Sequence, residues 1–192
     1  MKKSSIHFPE PPAARFLFGD TRMGWSWLIL RLYVGYQWLM AGWEKITGVG
    51  WVGAKAGTAI QGFFAGAATK TAGANPAVSS WYGYFITGFA EHHALLLSYL
   101  VTYGEFAVGI ALILGVFTGI AAFFGAFMNV NYLFAGTVSV NPLLLLIEFF
   151  LILAWRNAGW LGLDRWLLPW LGVPWRPGEG LREELAELHM KK

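Results

Sequence analysis

The feature that most constrains this chain is a long apolar stretch between His93 and Trp155 that contains only two charged side chains, Glu105 and Glu148. A core helix of a soluble protein is shorter and keeps a polar face, whereas this stretch is long enough for about three membrane crossings of roughly 20 residues each. A carboxylate at bilayer depth costs on the order of 3 kcal/mol. Glu105 and Glu148 therefore need partners or a function.

The composition also indicates a membrane protein. Hydrophobic residues make up 56% of the chain and charged residues 13%, whereas soluble proteins contain about 25% charged residues. Eleven tryptophans and seven tyrosines suit a chain anchored at two membrane–water interfaces. The net charge of +3 lies mostly near the two ends, which points to membrane topology rather than nucleic-acid binding. The absence of cysteine excludes disulfides, thiol relays, cysteine-held iron–sulfur clusters and covalently attached haem.

The hydropathy pattern predicts an all-α, polytopic membrane protein, a bundle of four transmembrane helices. The predicted spans are 24–46, 93–114, a third that follows the GVFTG link at 115–119 and ends near Val138, and a fourth from Asn141 to about Trp160. We expect Asn141 to be the N-cap of the fourth helix, with Pro142 in its first turn.

The chain divides into a tail, a membrane domain and a second tail. Residues 1–23 are basic without an apolar signal-peptide core, so we expect a cytoplasmic tail. Residues 24–168 form the four-helix domain, in which 47–92 is an outer loop. We expect this loop to lie on the outer interface and to cover the bundle mouth, with a re-entrant loop as the alternative. Residues 169–192 form an interfacial tail with a short amphipathic helix, marked by Leu181, Leu185 and Leu188.

Lysine and arginine are concentrated near both termini and are sparse in the outer loop. The positive-inside rule therefore predicts that both termini are cytoplasmic and that the protein resides in the inner membrane. An even number of spans requires the same arrangement.

Helical spacing sorts the polar residues of the spans onto single faces. These stripes are expected to point inward, because lipid cannot satisfy them. They are Arg31, Gly35, Trp38, Gly42 and Lys45 in the first helix, Ser98, Thr102, Glu105 and Gly109 in the second, and Gly125, Asn129, Tyr132 and Gly136 in the third.

Depth along the helices predicts two polar layers. At about 1.5 Å per residue, Arg31 lies about 11 Å and Glu105 about 12 Å from the inner edge, which predicts an Arg31–Glu105 ion pair. This pair is either functional or a structural pin between helices. Gln37, Asn129 and Glu148 all lie about 20 Å from that edge on the same count.

Glu148 has no cation at its predicted depth. Burial without a cation favours a protonated carboxyl group, which suits proton exchange with a quinone or a redox partner. Glu44 and Lys45 at the outer rim are better interpreted as solvated end charges. His92 and His93 are adjacent and point in different directions, so we expect no metal site and no haem ligand there.

Three segments together resemble the DoxX/DoxD family over roughly 23–169. The first helix carries an opening Arg-Leu and a closing Ala-Gly-x-x-Lys, here Arg31, Leu32, Ala41, Gly42 and Lys45. The second carries Gly-Glu-x-x-x-Gly-x-x-Leu-x-x-Gly-x-x-Thr, here Gly104, Glu105, Gly109, Leu112, Gly115 and Thr118. The tail resembles DoxD-type members at Gly162, Leu163, Asp164 and Arg165.

The resemblance implies a four-helix membrane protein of the bacterial or archaeal inner membrane. Some members are the small membrane subunit of a thiosulfate:quinone oxidoreductase, which works with a second, extracytoplasmic or membrane subunit. We accordingly expect a quinone and the lipid bilayer as partners, and no haem, iron–sulfur cluster, metal or nucleic acid. The alternative is a non-enzymatic anchor, assembly subunit or small-solute conduit of a membrane complex. A neighbouring gene for a periplasmic redox subunit would favour the first interpretation.

The predicted site lies in the bundle. Glu148 and Glu105 are the candidate catalytic residues, since each is a carboxyl group at membrane depth. The residues expected to hold the quinone are Gln37, Trp38, Asn129, Tyr132 and Arg31.

Overall fold

The computed structural model of this chain describes residues 10–173, and these residues form helices joined by short turns. The prediction of an all-α protein is confirmed for this part of the chain. The helices are α1 Pro12–Gly19, α2 Gly24–Thr47, α3 Thr58–Thr69, α4 Ser80–Phe85, α5 Ala94–Leu114, α6 Thr118–Phe134, α7 Asn141–Leu153, α8 Trp155–Ala158 and α9 Asp164–Trp170.

Helices α2 and α5 pack antiparallel through closely apposed glycines. A Cβ atom at Gly42 would lie 2.5 Å from the backbone nitrogen of Phe106. Gly109 lies in the same way against the backbone of Leu39. Backbones approach this closely only where a side chain is missing. The glycines therefore fix a single register between the two helices.

Helices α6 and α7 form a second antiparallel pair, which packs on the first pair around a shared apolar core. The core residues come from all four helices and include Trp27, Val34, Trp38, Val108, Leu112, Ala122, Leu144 and Leu151. The outer face of α6 is apolar as well, since Phe123, Phe124 and Phe127 are each more than half exposed. Apolar side chains on both sides of a helix are typical of a bundle surrounded by lipid.

The segment between α2 and α5 has its own apolar core. Its buried residues are Ile60, Phe64, Ala67, Val78, Tyr82, Ile86 and Ala90, and they pack with Ala94 of α5 and with Ala135 after α6. The hydroxyl of Tyr82 donates to the side-chain oxygen of Asn131 at 3.0 Å, and the Nζ of Lys70 donates to the carbonyl of Gly136 at 2.9 Å. These contacts hold the segment against the C-terminal end of α6.

Helices α4 and α5 belong to one continuous bent helix, Ser80–Leu114. A π-helical turn, Ile86–Ala90, and a 3₁₀ turn, Glu91–His93, join them. The sequence predicted that this helix begins at His93, but it begins earlier. Within residues 10–173, this helix alone is long and apolar enough to cross a membrane by length and composition, while α6 and α7 are apolar but shorter.

The expected N-terminal tail contains a helix, α1, which is held against the bundle. The indole Nε1 of Trp27 donates to the carbonyl of Leu17 at 2.9 Å. The side-chain Nδ2 of Asn157 donates to the carbonyl of Asp20 at 2.8 Å. Hydrogen bonds from Arg22 lower the pKa of the half-buried Asp20 carboxyl.

Asp164 ties α9 to the N-terminus of α6. Its carboxylate accepts hydrogen bonds from the backbone nitrogens of Phe117 at 2.6 Å and Thr118 at 2.8 Å. Its own backbone nitrogen donates to the carbonyl of Gly115 at 2.7 Å. A carboxylate here satisfies free N–H groups and complements the helix dipole.

Two details of the fourth predicted helix differ from expectation. Asn141 is the first residue of α7, and its side chain donates to the carbonyl of Thr137 at 3.0 Å. The N-cap prediction is therefore wrong, whereas Pro142 does lie in the first turn. The helix also breaks after Leu153 before α8 begins. The predicted amphipathic helix near 181–188 lies outside the described residues.

Candidate functional site

Glu105 is buried in α5 and is held by groups from two other helices. Its side chain is 1% exposed. The Nζ of Lys45 in α2 lies 2.6 Å from its Oε2. The hydroxyl of Tyr132 in α6 donates to its Oε1. Both carboxylate oxygens therefore have partners, and one partner is a cation.

The predicted ion pair between Arg31 and Glu105 is wrong. Arg31 is buried beside Asp164, where its Nη2 donates to the carbonyl of Leu161 at 3.1 Å. Its guanidinium packs directly over Gly115. The depth count failed because the N-terminal end of α2 extends beyond the C-terminal end of α5.

The glycine contacts show the stagger. Gly42, near the outer end of α2, lies against Phe106 in the middle of α5. Gly24, at the start of α2, lies beyond the end of α5, where its nearest neighbours are Trp160 and Leu161. In this register the residue next to Glu105 is near the end of α2, which is where Lys45 lies.

Glu148 in α7 is fully buried and receives two neutral donors. The Nε1 of Trp38 donates to its Oε1 at 2.5 Å, and the Nδ2 of Asn129 donates to its Oε2 at 2.6 Å. Gly125 makes room for these contacts, because a Cβ there would lie 2.5 Å from the Glu148 Oε1. The side-chain oxygen of Asn129 is buried and has no hydrogen-bond partner among the described residues.

Trp38 and Tyr132 connect the two carboxyl groups. Their rings stack with centroids 6.4 Å apart and planes 26° apart. Each ring donates a hydrogen bond to one of the two carboxyl groups. We call the resulting set the buried acid network, and it consists of Lys45, Glu105, Tyr132, Trp38, Glu148 and Asn129.

The segment that follows α2 covers one end of the buried acid network. The Lys45 Nζ lies 5.1 Å from the centre of the Trp51 ring, and Phe63 of α3 packs edge-on against Tyr132 at 5.9 Å. The carbonyl of Trp51 is fixed by the hydroxyl of Ser98 at 2.5 Å. The Lys45 side chain is still 17% exposed, so it connects the network to the surface of the protein.

The structure brings together five of the seven predicted site residues and adds Lys45. Glu105, Glu148, Trp38, Asn129 and Tyr132 are all in the network. Gln37 is half-buried and has no hydrogen bond to the network among the described residues, while Arg31 lies at the other end of α2.

Sequence reasoning missed the role of Lys45. It was interpreted as a solvated end charge because it lies near the end of α2. The signal that could have found it was its helical phase, since Lys45 shares a face with Trp38 and Gly42. A basic residue on the inward face of a helix end can still reach a buried carboxylate through its long side chain.

The two carboxyl groups of the network differ in the groups that surround them. Glu105 has a cationic partner, so its charge is compensated. Among the described residues, the donors to Glu148 are the neutral groups of Trp38 and Asn129, and it forms no ion pair. A carboxyl group in that environment can accept and release a proton in response to a nearby reaction.

A family model described as DoxX matches residues 26–138. The matched region contains α2 to α6 and every member of the buried acid network except Glu148. No curated protein and no solved structure matches this chain.

Proposed function

Because this chain belongs to the DoxX family of membrane proteins, we propose that it is the integral membrane subunit of a quinone-linked oxidoreductase and binds the quinone within its helix bundle. The observation that carries the proposal is Glu148, a fully buried carboxyl group. Within residues 10–173 it is held only by neutral donors and lies beside an Asn129 oxygen that has no partner. A site of that kind suits a ligand that exchanges protons in an apolar interior.

We also propose the four-span topology within the bacterial or archaeal inner membrane, with both termini cytoplasmic. The spans are α2, α5, α6 and α7 continued by α8. The exposed apolar surface of α6 and the basic residues near both ends of the chain support this arrangement. In this orientation Lys45 and the covering segment face the outer side.

The residues of the network fit a quinone in its reduced form. The Asn129 side-chain oxygen needs a donor, and a quinol hydroxyl group provides one. The rings of Trp38 and Tyr132 offer flat apolar surfaces against which an aromatic head group can pack. Gln37 and Arg31 lie outside this arrangement, and their role as quinone ligands stays a prediction.

The quinone, when bound, supplies a carrier for two electrons and two protons. Glu148 holds one proton within the bundle, and Asn129 orients the carboxyl group through its hydrogen bond. Tyr132 donates to Glu105, and Lys45 stabilises the charge of Glu105 at the outer end. The two carboxyl groups thus belong to two hydrogen-bonded sets, Glu148 with Trp38 and Asn129 and Glu105 with Tyr132 and Lys45, which meet at the stacked rings of Trp38 and Tyr132.

We infer that the electrons come from a second subunit, with thiosulfate as the candidate donor. The chain has no cysteine with which to hold an iron–sulfur cluster or form a thiol relay. A chain of this composition depends on a partner for the oxidation of an inorganic sulfur compound.

The test compares Glu148→Gln with Glu44→Gln, an exposed carboxyl group on α2. The full-length protein is purified with native lipids, and bound quinone is extracted and measured by mass spectrometry. Thiosulfate-dependent reduction of decylubiquinone is measured in the parent membranes. We expect Glu148→Gln to stay folded and to lower electron transfer about tenfold or more, in line with the loss of one acid–base group. Glu44→Gln should behave like the wild type.

Asn129→Leu should lower the amount of bound quinone, because it removes both the free oxygen and the donor to Glu148. Wild-type quinone content and electron transfer in well-folded Glu148→Gln and Asn129→Leu membranes would contradict the proposal. That result would instead support a membrane anchor.

A further inference from the structure

The inner end of the bundle contains an apolar groove that the buried acid network does not use. The groove has a volume of about 320 Å³. Its walls come from α6, α7, α8 and α9. The apolar residues that line it are Phe117, Ile120, Phe123, Ile152, Trp155 and Leu168.

Two groove-lining residues, Phe117 and Gly119, have special backbone environments. Phe117 has a left-handed backbone with φ of 47°, a conformation that is costly for a bulky residue. The hydrogen bond from its backbone nitrogen to Asp164 holds it there. Gly119 lets Trp155 lie directly on α6, since a Cβ at Gly119 would be 2.6 Å from the Cβ of Trp155.

The walls of the groove face outward. Phe117, Ile120, Phe123 and Trp155 are 39%, 57%, 54% and 37% exposed. In a membrane these side chains are in contact with lipid. The groove is therefore accessible to a chain that enters from the bilayer.

Basic and aromatic side chains lie at the same end of the groove. The guanidinium of Arg156 lies 5.6 Å from the centre of the Trp155 ring, and Trp155 lines the groove. Arg156 is exposed and has no carboxylate partner among residues 10–173. Trp166 and Trp170 on α9 are 67% and 80% exposed, as is typical of tryptophan at a headgroup boundary.

Asp164, the acidic residue that lines the groove, does not repel a negatively charged ligand. The Asp164 carboxylate accepts hydrogen bonds from the first two backbone nitrogens at the start of α6. The positive end of the α6 dipole offsets its charge. Arg156, whose guanidinium lies over the groove-lining Trp155 ring and has no carboxylate partner among the described residues, is thus available to a negative ligand.

We propose that this groove binds one anionic phospholipid, with an acyl chain between α6 and α9 and the phosphate at Arg156. The apolar walls match an acyl chain, and the unpaired guanidinium matches a phosphate. A zwitterionic lipid also carries a phosphate, but its positive headgroup weakens the attraction to arginine. The site therefore prefers a lipid with net negative charge.

The test measures lipid retention by the full-length protein in mixed micelles containing equal amounts of dioleoylphosphatidylglycerol and dioleoylphosphatidylcholine. Native mass spectrometry counts each lipid bound per chain. We expect the wild type to retain the glycerol lipid at least about fivefold more than the choline lipid. The loss of one phosphate contact in Arg156→Gln should remove most of that preference.

Arg22→Gln is the matched control, because Arg22 is an exposed arginine near the same end but is already paired with Asp20 at 2.6 Å. It should keep the wild-type preference. Ile120→Trp fills the groove from an exposed position and should lower the retention of both lipids.

An unchanged preference in Arg156→Gln, or retention by Ile120→Trp equal to that of the wild type, would overturn the proposal. Retention of an isoprenoid quinone in place of phospholipid would overturn it as well. None of these outcomes depends on electron transfer, so the lipid site stands or fails separately from the proposed function.

Discussion

The interaction between Lys45 and Glu105 is the strongest residue-level constraint on the bundle. Both groups lie in an apolar interior, where an isolated charge is costly. Their separation of 2.6 Å and the hydrogen bond from Tyr132 to the other carboxylate oxygen satisfy both atoms of the carboxylate. Replacing both residues with apolar ones would change the free energy of unfolding little, but the loss of one member leaves the other charge unpaired.

Removing one member of this pair should destabilise the protein more than removing both. Lys45→Met and Glu105→Gln should each lower the free energy of unfolding in detergent by about 3 kcal/mol or more. The double variant should recover part of that loss because no unpaired charge remains. Thermal and denaturant unfolding followed by circular dichroism measure the three values.

Arg31→Gln combined with Glu105→Gln provides the control for this cycle. Those two residues are not in contact, so their effects should add. Additive effects for the Lys45 pair, or coupling for the Arg31 pair, would contradict the register described for α2 and α5.

At the scale of the elements, glycine contacts decide which side chains meet. The register of α2 and α5 follows from Gly42 and Gly109, where the two backbones are in direct contact. Sequence alone placed the inward faces correctly, because the 3.6-residue period of the polar stripe is visible in one helix. The axial offset between α2 and α5 could not be predicted in this way, because it depends on the side-chain volumes of both helices. Hence Trp38, Tyr132 and Arg31 lie on the predicted inward faces, whereas the predicted partner of Arg31 is wrong.

Gly109→Ala should destabilise the bundle, because the added methyl group would overlap the backbone of Leu39. We expect a loss of about 1–3 kcal/mol, as for other overpacked interiors. The matched control is Gly104→Ala in the same helix, whose Cβ would meet only the Sδ of Met128 at 3.7 Å. That variant should be neutral or more stable, since alanine favours helix. Equal thermal stability of the two variants would contradict the close contact.

At the scale of the whole molecule, the two ends of the bundle are closed in different ways. A segment of the chain covers one end, and short helices pack around the other. The cover is the segment from α3 to α4, which packs over the C-terminal end of α6. At the other end α1, α8 and α9 surround the helix termini. The mild hydropathy of this segment predicted that it covers the bundle, whereas α1 was not predicted from the sequence. Its contacts come from backbone carbonyls that accept from Trp27 and Asn157, and the sequence pattern of α1 gives no sign of these partners.

Cysteine labelling tests the orientation, because the natural chain has no cysteine to interfere. Ala74→Cys lies in the exposed part of the covering segment, and Ala13→Cys lies on the exposed face of α1. In intact cells a membrane-impermeant maleimide should label position 74 and leave position 13 unlabelled until the membrane is opened. Labelling of position 13 from outside would refute a cytoplasmic N-terminus.

The π-helical turn at Ile86–Ala90 has a consequence for how such a chain can change. Each residue of a regular α-helix rotates the chain by about 100°, and a π turn takes up one additional residue. The turn therefore sets the angle between the apolar face of α4, which packs with α3 in the covering segment, and the polar face of α5, which meets α2. Adding or deleting one residue between Phe85 and Glu91 would rotate one face relative to the other without altering any side chain. The number of residues in this turn therefore matters as much as their identity. In a related chain, a single insertion here would change the orientation of the covering segment relative to a bundle of unchanged sequence.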